Sequence, residues 1–163
     1  MLTDYWTRCL PDLQRAFDDE CGYACVRVDR ITGAPTVDHW MAKALYPDGA
    51  YEWGNLRFAS LTMNRRRERG GEICDPYAVN DGSFVVNLVT FGIAAAPSLS
   101  SDVRDRVERT IRVLELDLEP MRKRREAAWK LFEDDRTPRG WALLVRDCPL
   151  VAREYLRQGG TAP

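Results

Sequence analysis

The sequence lacks any apolar run long enough to cross a membrane, since none approaches the roughly 20 residues that a transmembrane helix needs. Its first residues, 1–15, lack the basic and apolar regions of a signal peptide and have the spacing of an amphipathic helix. The five cysteines are odd in number and scattered, which argues against a disulfide framework and favours reduced thiols. We therefore predict a soluble, cytoplasmic protein with no membrane partner.

The chain also lacks a large net charge of either sign. Its 24 lysines and arginines face 25 aspartates and glutamates, so the formal net charge is −1. Overall charge therefore does not indicate a nucleic-acid-binding protein, and such binding must come from local basic patches. Two patches are present, one at Arg65, Arg66, Arg67 and Arg69 and one at residues 122–125. For the second patch we favour a solvated helix face.

The hydrophobic pattern predicts an α+β fold. We divide the chain into an N-terminal helix (1–20), a core of two strands and a helix (21–70), a second hairpin with a helical region packed on that core (71–158), and a frayed tail (159–163). In the core, residues 24–31 alternate between apolar and polar side chains and lead through Gly33 into an extended segment at 36–39. These two segments are predicted to pair as a hairpin.

A loop and a helix should complete the core. Residues 40–53 contain Pro47 and Gly49 and have no sustained period, which predicts a loop. The helix that follows has Ser60 as its predicted N-cap and should end at Glu68, before two glycines.

Further elements are predicted beyond the core. Turn residues at 80–83 separate two β-rich segments, 77–79 and 84–90, and predict the second hairpin. Apolar spacing then predicts a helix over residues 103–118, another that begins at Pro120, and a last one split near Pro149.

Four polar residues of the core carry the candidate chemistry. The only histidine, His39, directly follows Asp38 at the end of the second predicted strand, while Asn55 lies in the loop and Asn64 on the helix. This pattern, over residues 21–68, resembles the HNH endonuclease superfamily, whose ββα-metal core has such residues at these places. The wider sequence looks like the HNH proteins of bacterial anti-phage operons of the Septu and retron kind. The resemblance implies a ββα-metal (HNH) core and hydrolysis of DNA.

Each residue has a chemical role in such an enzyme. An imidazole with an ordinary pKa of about 6.5 can take a proton from water near neutral pH, which makes His39 the candidate general base. Asp38 and the side-chain carbonyl of Asn64 can supply the oxygen ligands that Mg²⁺ or Mn²⁺ prefers. By its place in the family, Asn55 joins the catalytic set by tying the loop to the site. Neighbours on a regular strand point to opposite faces, so Asp38 and His39 can share a site only where the pleat breaks.

Basic residues near these groups are candidates for nucleic-acid binding. Lys43 stands where the family often has a basic residue, and it is assigned to phosphate contact. The four arginines Arg65, Arg66, Arg67 and Arg69 lie beside Asn64, where guanidinium groups can hold flanking phosphates. A solvated helix face explains each of these arginines equally well. Trp40, next to the candidate base, is interpreted as core or as a platform on which a nucleotide stacks.

Structural zinc is not expected in this chain. Many HNH proteins have two C-x-x-C pairs that bind zinc, whereas Cys21 and Cys25 here are spaced C-x₃-C. Ser60 and Met63 stand where the second pair would be. We interpret the cysteines as small buried apolar side chains.

Two other functions stay open at this point. The near-neutral charge and the long segment beyond Gly70 also suit a non-catalytic module that binds nucleic acid or docks onto a larger protein, such as an ATPase or a sensor. RNA is an alternative substrate, because site chemistry directed at phosphate says little about the sugar.

Overall fold

The protein is an α+β chain with two compact units, seen in a computed structural model that describes residues 5–28 and 33–163. The first unit ends at Glu68, and the second runs from Arg69 to Pro163. Over the described residues there are six α-helices and two antiparallel sheets of two strands each. No helix in this part of the chain is long and apolar enough to cross a membrane.

The first unit contains two short strands between two helices. A 3₁₀ turn at Tyr5–Cys9 leads into α1, Leu10–Ala16, where Pro11 occupies a position in the first turn that needs no amide donor. The remaining elements in chain order are β1 (Pro35–His39), 3₁₀ turns at Pro47–Tyr51 and Trp53–Asn55, β2 (Leu56–Ser60) and α2 (Leu61–Glu68).

The hairpin predicted for residues 24–31 and 36–39 is wrong. β1 pairs instead with β2, antiparallel, from Pro35 opposite Ser60 to His39 opposite Leu56. Of the segment predicted to pair with β1, residues 24–28 contribute only an isolated bridge between Arg27 and Glu20, and residues 29–32 lie outside the described part of the chain. A local turn explains why this segment does not pair with β1. The Cys21 amide donates to the Val26 carbonyl at 3.0 Å, so that carbonyl is already used within the turn.

The strand β2 is buried along its whole length. All five of its residues are buried, including Arg57, so neither face shows the alternation that marks a half-exposed strand. Helix α1 packs against both strands, with Leu13 fully buried and the rings of Phe17 and Phe58 6.2 Å apart. This packing holds the end of β1 in place.

The start and end of α2 are as predicted. The Ser60 hydroxyl accepts a hydrogen bond from the Met63 amide at 3.3 Å, which satisfies one of the unpaired donors of the first turn. The helix ends at Glu68, and the two glycines that follow, Gly70 and Gly71, adopt positive φ angles of 92° and 117°. Met63 is the buried side chain of this helix.

The second unit is mainly helical. Its elements are β3 (Phe84–Val86), β4 (Ile93–Ala95), α3 (Ser101–Val113), α4 (Glu119–Asp134), α5 (Pro138–Asp147) and α6 (Pro149–Arg157). The predicted helix start at Pro120 and the split at Pro149 are confirmed, since each proline lies in the first turn of its helix. The helix predicted over 103–118 ends earlier, at Val113, because Glu115 adopts a positive φ of 52° and turns the chain.

The second hairpin exists, and the strand predicted over residues 84–90 is correct for its first part, 84–86, whereas the strand predicted over residues 77–79 is wrong. β3 pairs with β4, and residues 77–79 form part of a turn in which the Ala78 amide donates to the Asp75 carbonyl. The hairpin turn begins at Asn87, whose side-chain oxygen accepts from the amides of Val89 and Thr90 at 2.9 and 2.8 Å.

The prediction of a solvated face for residues 122–125 is wrong for one residue. The side chain of Arg125 is buried, with its guanidinium donating to the carbonyls of Phe91 at 2.7 Å and Leu116 at 3.0 Å. Arg125 therefore stabilises the interior of the second unit.

Candidate active site

Asp38 and His39 are the last two residues of β1, and both are buried, at 6 % and 7 % exposure. The pairing with β2 stays regular through His39, so the break in the pleat that a shared site was expected to need does not occur within the strand. Asp38 contacts Tyr23 and α2, whereas His39 contacts the loop between the strands. The end of β1 therefore presents a carboxylate and an imidazole to different neighbours.

The Asp38 carboxylate is held through one oxygen. The hydroxyl of Tyr23 donates a hydrogen bond to Oδ2, and Nε of Arg67 lies 3.0 Å from the same oxygen as an ion pair without the alignment of a hydrogen bond. Oδ1 accepts no hydrogen bond from the part of the chain that the structure describes. Asp38 is thus oriented by two neighbours, with its second oxygen available to a further ligand.

Burial changes the pKa of both members of this contact. It raises the pKa of Asp38 above its ordinary value, and the Tyr23 hydroxyl and the Arg67 charge, which favour the carboxylate, offset part of that increase. Burial next to the Asp38 charge likewise raises the pKa of Tyr23, so its hydroxyl keeps its proton and remains a donor.

His39 is oriented by the loop. Its Nε2 lies 2.9 Å from the carbonyl oxygen of Ala50. A carbonyl can only accept, so Nε2 bears the proton, and in the neutral imidazole the lone pair is on Nδ1. Burial lowers the pKa of His39, and the Lys43 charge adds to this, while the bond to Ala50 and the Asp38 charge oppose it. The net effect favours the neutral imidazole, which is the form that accepts a proton.

Asn55 closes the loop between β1 and β2. It is buried, and its Oδ1 accepts from the Met41 amide at 2.7 Å. Its Nδ2 donates to the carbonyls of Met41 and Gly49 at 3.1 and 3.0 Å. Asn55 binds the carbonyl of Gly49, which directly precedes Ala50, so this side chain fixes the peptide group next to the one that contacts His39.

Trp40 follows His39 and lies against two guanidinium groups. The Cζ atoms of Arg57 and Arg67 are 5.7 and 5.1 Å from the centroid of its ring. Nη2 of Arg67 also donates to the Trp40 carbonyl, and Arg57 donates to the carbonyls of Gly54 and Leu56 at 2.8 and 3.0 Å. The Trp40 ring therefore packs against these arginines, and it is not the open stacking platform considered from the sequence.

The predicted phosphate-binding residues occupy different environments. Lys43 is half-buried and close enough to His39 for its charge to lower the pKa of the imidazole. On α2, Arg65 is exposed and Arg66 is half-buried. Arg67 forms the ion pair with Asp38 and donates to the Trp40 carbonyl. Arg69 belongs to the second unit, where its Nη1 pairs with Glu115 at 2.8 Å.

Asn64 is the second predicted metal ligand. It is half-buried on α2, three residues before Arg67 and so on the same helix face as the arginine that contacts Asp38. In the described part of the chain its side chain has no hydrogen-bond partner. No three His, Cys, Asp or Glu side chains come together as a metal-binding group among residues 5–28 and 33–163.

Sequence reasoning missed two residues of this site. Tyr23 lies just before the segment predicted to be a strand, residues 24–31, and nothing in the local pattern connects it with Asp38. Arg57 is buried opposite Asp38 in the strand register, and its sequence neighbourhood gives no signal that this charged side chain is buried.

No protein-family model matches this chain, and no curated protein matches it either.

Proposed function

We propose that the chain is a metal-dependent endonuclease of the HNH type, which hydrolyses phosphodiester bonds in DNA. The order strand, loop, strand, helix supports this proposal, with Asp38 and His39 at the end of the first strand and Asn64 on the helix. In a ββα-metal core, the base and the metal ligands would belong to these elements. Because β1 is regular through His39, the two side chains lie on opposite faces of the strand, and the substrate phosphate would have to reach both of them at the strand end.

The single observation that carries the proposal is the contact between His39 and Ala50. It leaves the lone pair of a neutral imidazole on Nδ1, and burial keeps the imidazole neutral. A neutral imidazole with one nitrogen fixed by a carbonyl is suited to accept a proton from water. His39 would act as the general base, with Ala50 and Asn55 as the groups that orient it.

The donor set at Asp38 fits Mg²⁺ or Mn²⁺. These ions bind to one or two protein oxygens and keep several waters, and the Oδ1 atom of Asp38 and the amide oxygen of Asn64 are such donors. When bound, the ion would stabilise the charge that develops on the phosphate and on the leaving oxygen. Tyr23 and Arg67 would hold the carboxylate in place and favour its charged form against the effect of burial, which raises the pKa of Asp38.

The positive charges near the site suit a phosphate-containing substrate. Lys43 and Arg65 are the best candidates for contact with flanking phosphates, since Arg67 is engaged by Asp38. The role in anti-phage defence that the sequence resemblance implies remains a prediction, as does the ATPase or sensor partner considered from the long segment beyond Gly70.

Metal removal is the direct test of this function. We expect the purified chain to nick supercoiled plasmid and to cut single-stranded circular DNA in Mg²⁺ or Mn²⁺, to stop when EDTA is added, and to resume when metal is restored in excess. Gel electrophoresis of the products measures this. Cleavage that continues at the same rate in EDTA would contradict the proposal, as would the absence of cleavage and of calorimetric binding of either metal.

Tyr23→Phe tests the orientation of Asp38. The variant loses only the hydroxyl that donates to Oδ2, so we expect the dissociation constant for Mn²⁺ to increase about tenfold while the fold is kept. Isothermal titration calorimetry measures the affinity, and circular dichroism checks the fold. Tyr155→Phe is the matched control, because it removes a phenol hydroxyl from an aromatic cluster in the second unit. Equal affinities in the two variants would remove Tyr23 from the site.

A further inference from the structure

Several exposed apolar side chains of the first unit belong to one segment. Among residues 7–28 and 33–68, whose side-chain exposure the structure describes, all exposed large apolar residues lie between residues 41 and 53, in the loop that joins β1 to β2. They are Met41, Leu45, Tyr46, Tyr51 and Trp53, with exposures of 50 %, 86 %, 39 %, 47 % and 46 %. We call residues 41–53 the aromatic loop. Exposed apolar patches of this kind mark sites of interaction.

The aromatic loop is held in one conformation by its own contacts. Asn55 joins its beginning to the residues before β2, and the ring of Tyr46 lies against the backbone of Gly49. A Cβ atom at Gly49 would be 1.9 Å from Cε1 of Tyr46, so the ring occupies the space that glycine leaves. The exposed rings are therefore presented by an ordered loop, which lowers the entropic cost of binding.

The loop is also connected to the candidate base. Its Ala50 carbonyl accepts the hydrogen bond from His39, and its Lys43 lies near enough to affect the pKa of that imidazole. A nucleotide whose phosphate approaches His39 would consequently have its base next to this loop.

The charges of the loop indicate which form of nucleic acid fits. Asp48 and Glu52 are exposed and lie among the aromatic residues of the sequence, and the charge of Lys43 acts on His39. A duplex has phosphates along both strands and would bring one row against these carboxylates. An unpaired strand can instead place its phosphate near Lys43 and turn its bases toward the rings.

From these observations we infer that the aromatic loop binds unpaired bases, and that the preferred substrate is a single-stranded polynucleotide. In a duplex the base faces are covered by neighbouring bases, so Tyr51 and Trp53 can stack only on bases that are unpaired. This inference rests on the proposed nuclease function, because it assigns the loop to the substrate of that same site.

Binding measured without cleavage tests the inference. Fluorescence anisotropy in EDTA would compare a labelled oligo-dT strand, an oligo-rU strand and a DNA duplex of equal length. We expect the wild-type chain to bind at least one of the single strands about tenfold more tightly than the duplex, and Trp53→Ala or Tyr51→Ala to weaken that binding about tenfold each. The two single strands distinguish DNA from RNA. The matched control is Leu45→Ala, which removes the most exposed apolar side chain of the loop without removing a ring.

The outcomes separate this inference from the proposed function. Duplex binding as tight as single-strand binding, or single-strand binding unchanged in both aromatic variants, would overturn the inference even if metal-dependent cleavage of plasmid is observed. Equal losses in Leu45→Ala and Trp53→Ala would also overturn it, since an apolar protein partner would then explain the patch better. Failure of the proposed function would appear separately, as no metal-dependent cleavage of either strand form.

Discussion

Replacing His39 by alanine should reduce metal-dependent cleavage by about 10²- to 10⁴-fold, the range expected when a general base is removed. The variant leaves the Ala50 carbonyl without its donor, so a modest loss of stability should accompany the loss of activity. Plasmid and single-strand cleavage rates measure the first effect, and thermal unfolding measures the second.

His39→Gln separates catalysis from structure. A glutamine amide can donate to the Ala50 carbonyl but cannot act as a base at neutral pH, so this variant should unfold near the wild-type temperature and still be inactive. Because the chain has one histidine, nitrogen NMR of the imidazole reports on this residue alone and should show the proton on Nε2. A folded His39→Gln variant that cuts within twofold of the wild-type rate would show that His39 is not the base.

The two asparagines of the motif should respond to substitution in opposite ways. Asn55→Ala removes three hydrogen bonds to the loop backbone, one buried and two partly buried, and we expect a loss of about 3 kcal/mol in the free energy of unfolding, together with a loss of activity. Asn64→Ala removes a half-buried side chain on the helix, so its effect on stability should stay within about 0.5 kcal/mol. Its effect should be on the metal, with Mn²⁺ affinity reduced about tenfold.

Urea unfolding and metal calorimetry on both variants measure this contrast. An Asn64→Ala variant that binds Mn²⁺ like the wild type would remove Asn64 from the ligand set. An Asn55→Ala variant as stable as the wild type would mean that the loop is held by other contacts.

Local signals in the sequence predicted local structure well. Ser60 predicted the start of α2 because a hydroxyl at that position satisfies an amide of the first turn, and the prolines at 120 and 149 predicted helix starts because they need no donor there. These rules concern neighbours in the chain, and they do not depend on tertiary packing.

Strand pairing could not be predicted in the same way. β2 is covered on both sides, and Arg57 within it donates to nearby carbonyls. The segment therefore contains a charged residue of a type usually found on the surface, and its sequence does not show that the strand is buried. Residues 24–28 do alternate, yet their hydrogen bonds are used in a local turn. Which segment pairs with β1 depends on contacts between distant residues, and a single sequence does not display them.

The same distinction applies to the candidate site. Asp38, His39, Asn55 and Asn64 were chosen from their types and order, and the contacts of Asn55 with the loop backbone are visible in the structure. The contact of Tyr23 with Asp38 joins residues 15 positions apart without any pattern between them. The contacts of Arg67 with Asp38 and Trp40 likewise depend on how α2 packs. The run of arginines in the sequence does not indicate which of them makes these contacts.

The closure of the loop by Asn55 and Met41 has a consequence for how this protein can change. Two hydrogen bonds between Asn55 and the backbone of Met41 close the loop at the start of residues 42–48. The Ala50 carbonyl, which contacts His39, follows this segment. Insertions, deletions or new side chains in residues 42–48 can change the surface of the loop without shifting the register of the strands. In the proposed nuclease, substrate recognition would then diverge while Nδ1 of His39, the proposed proton acceptor, keeps its position.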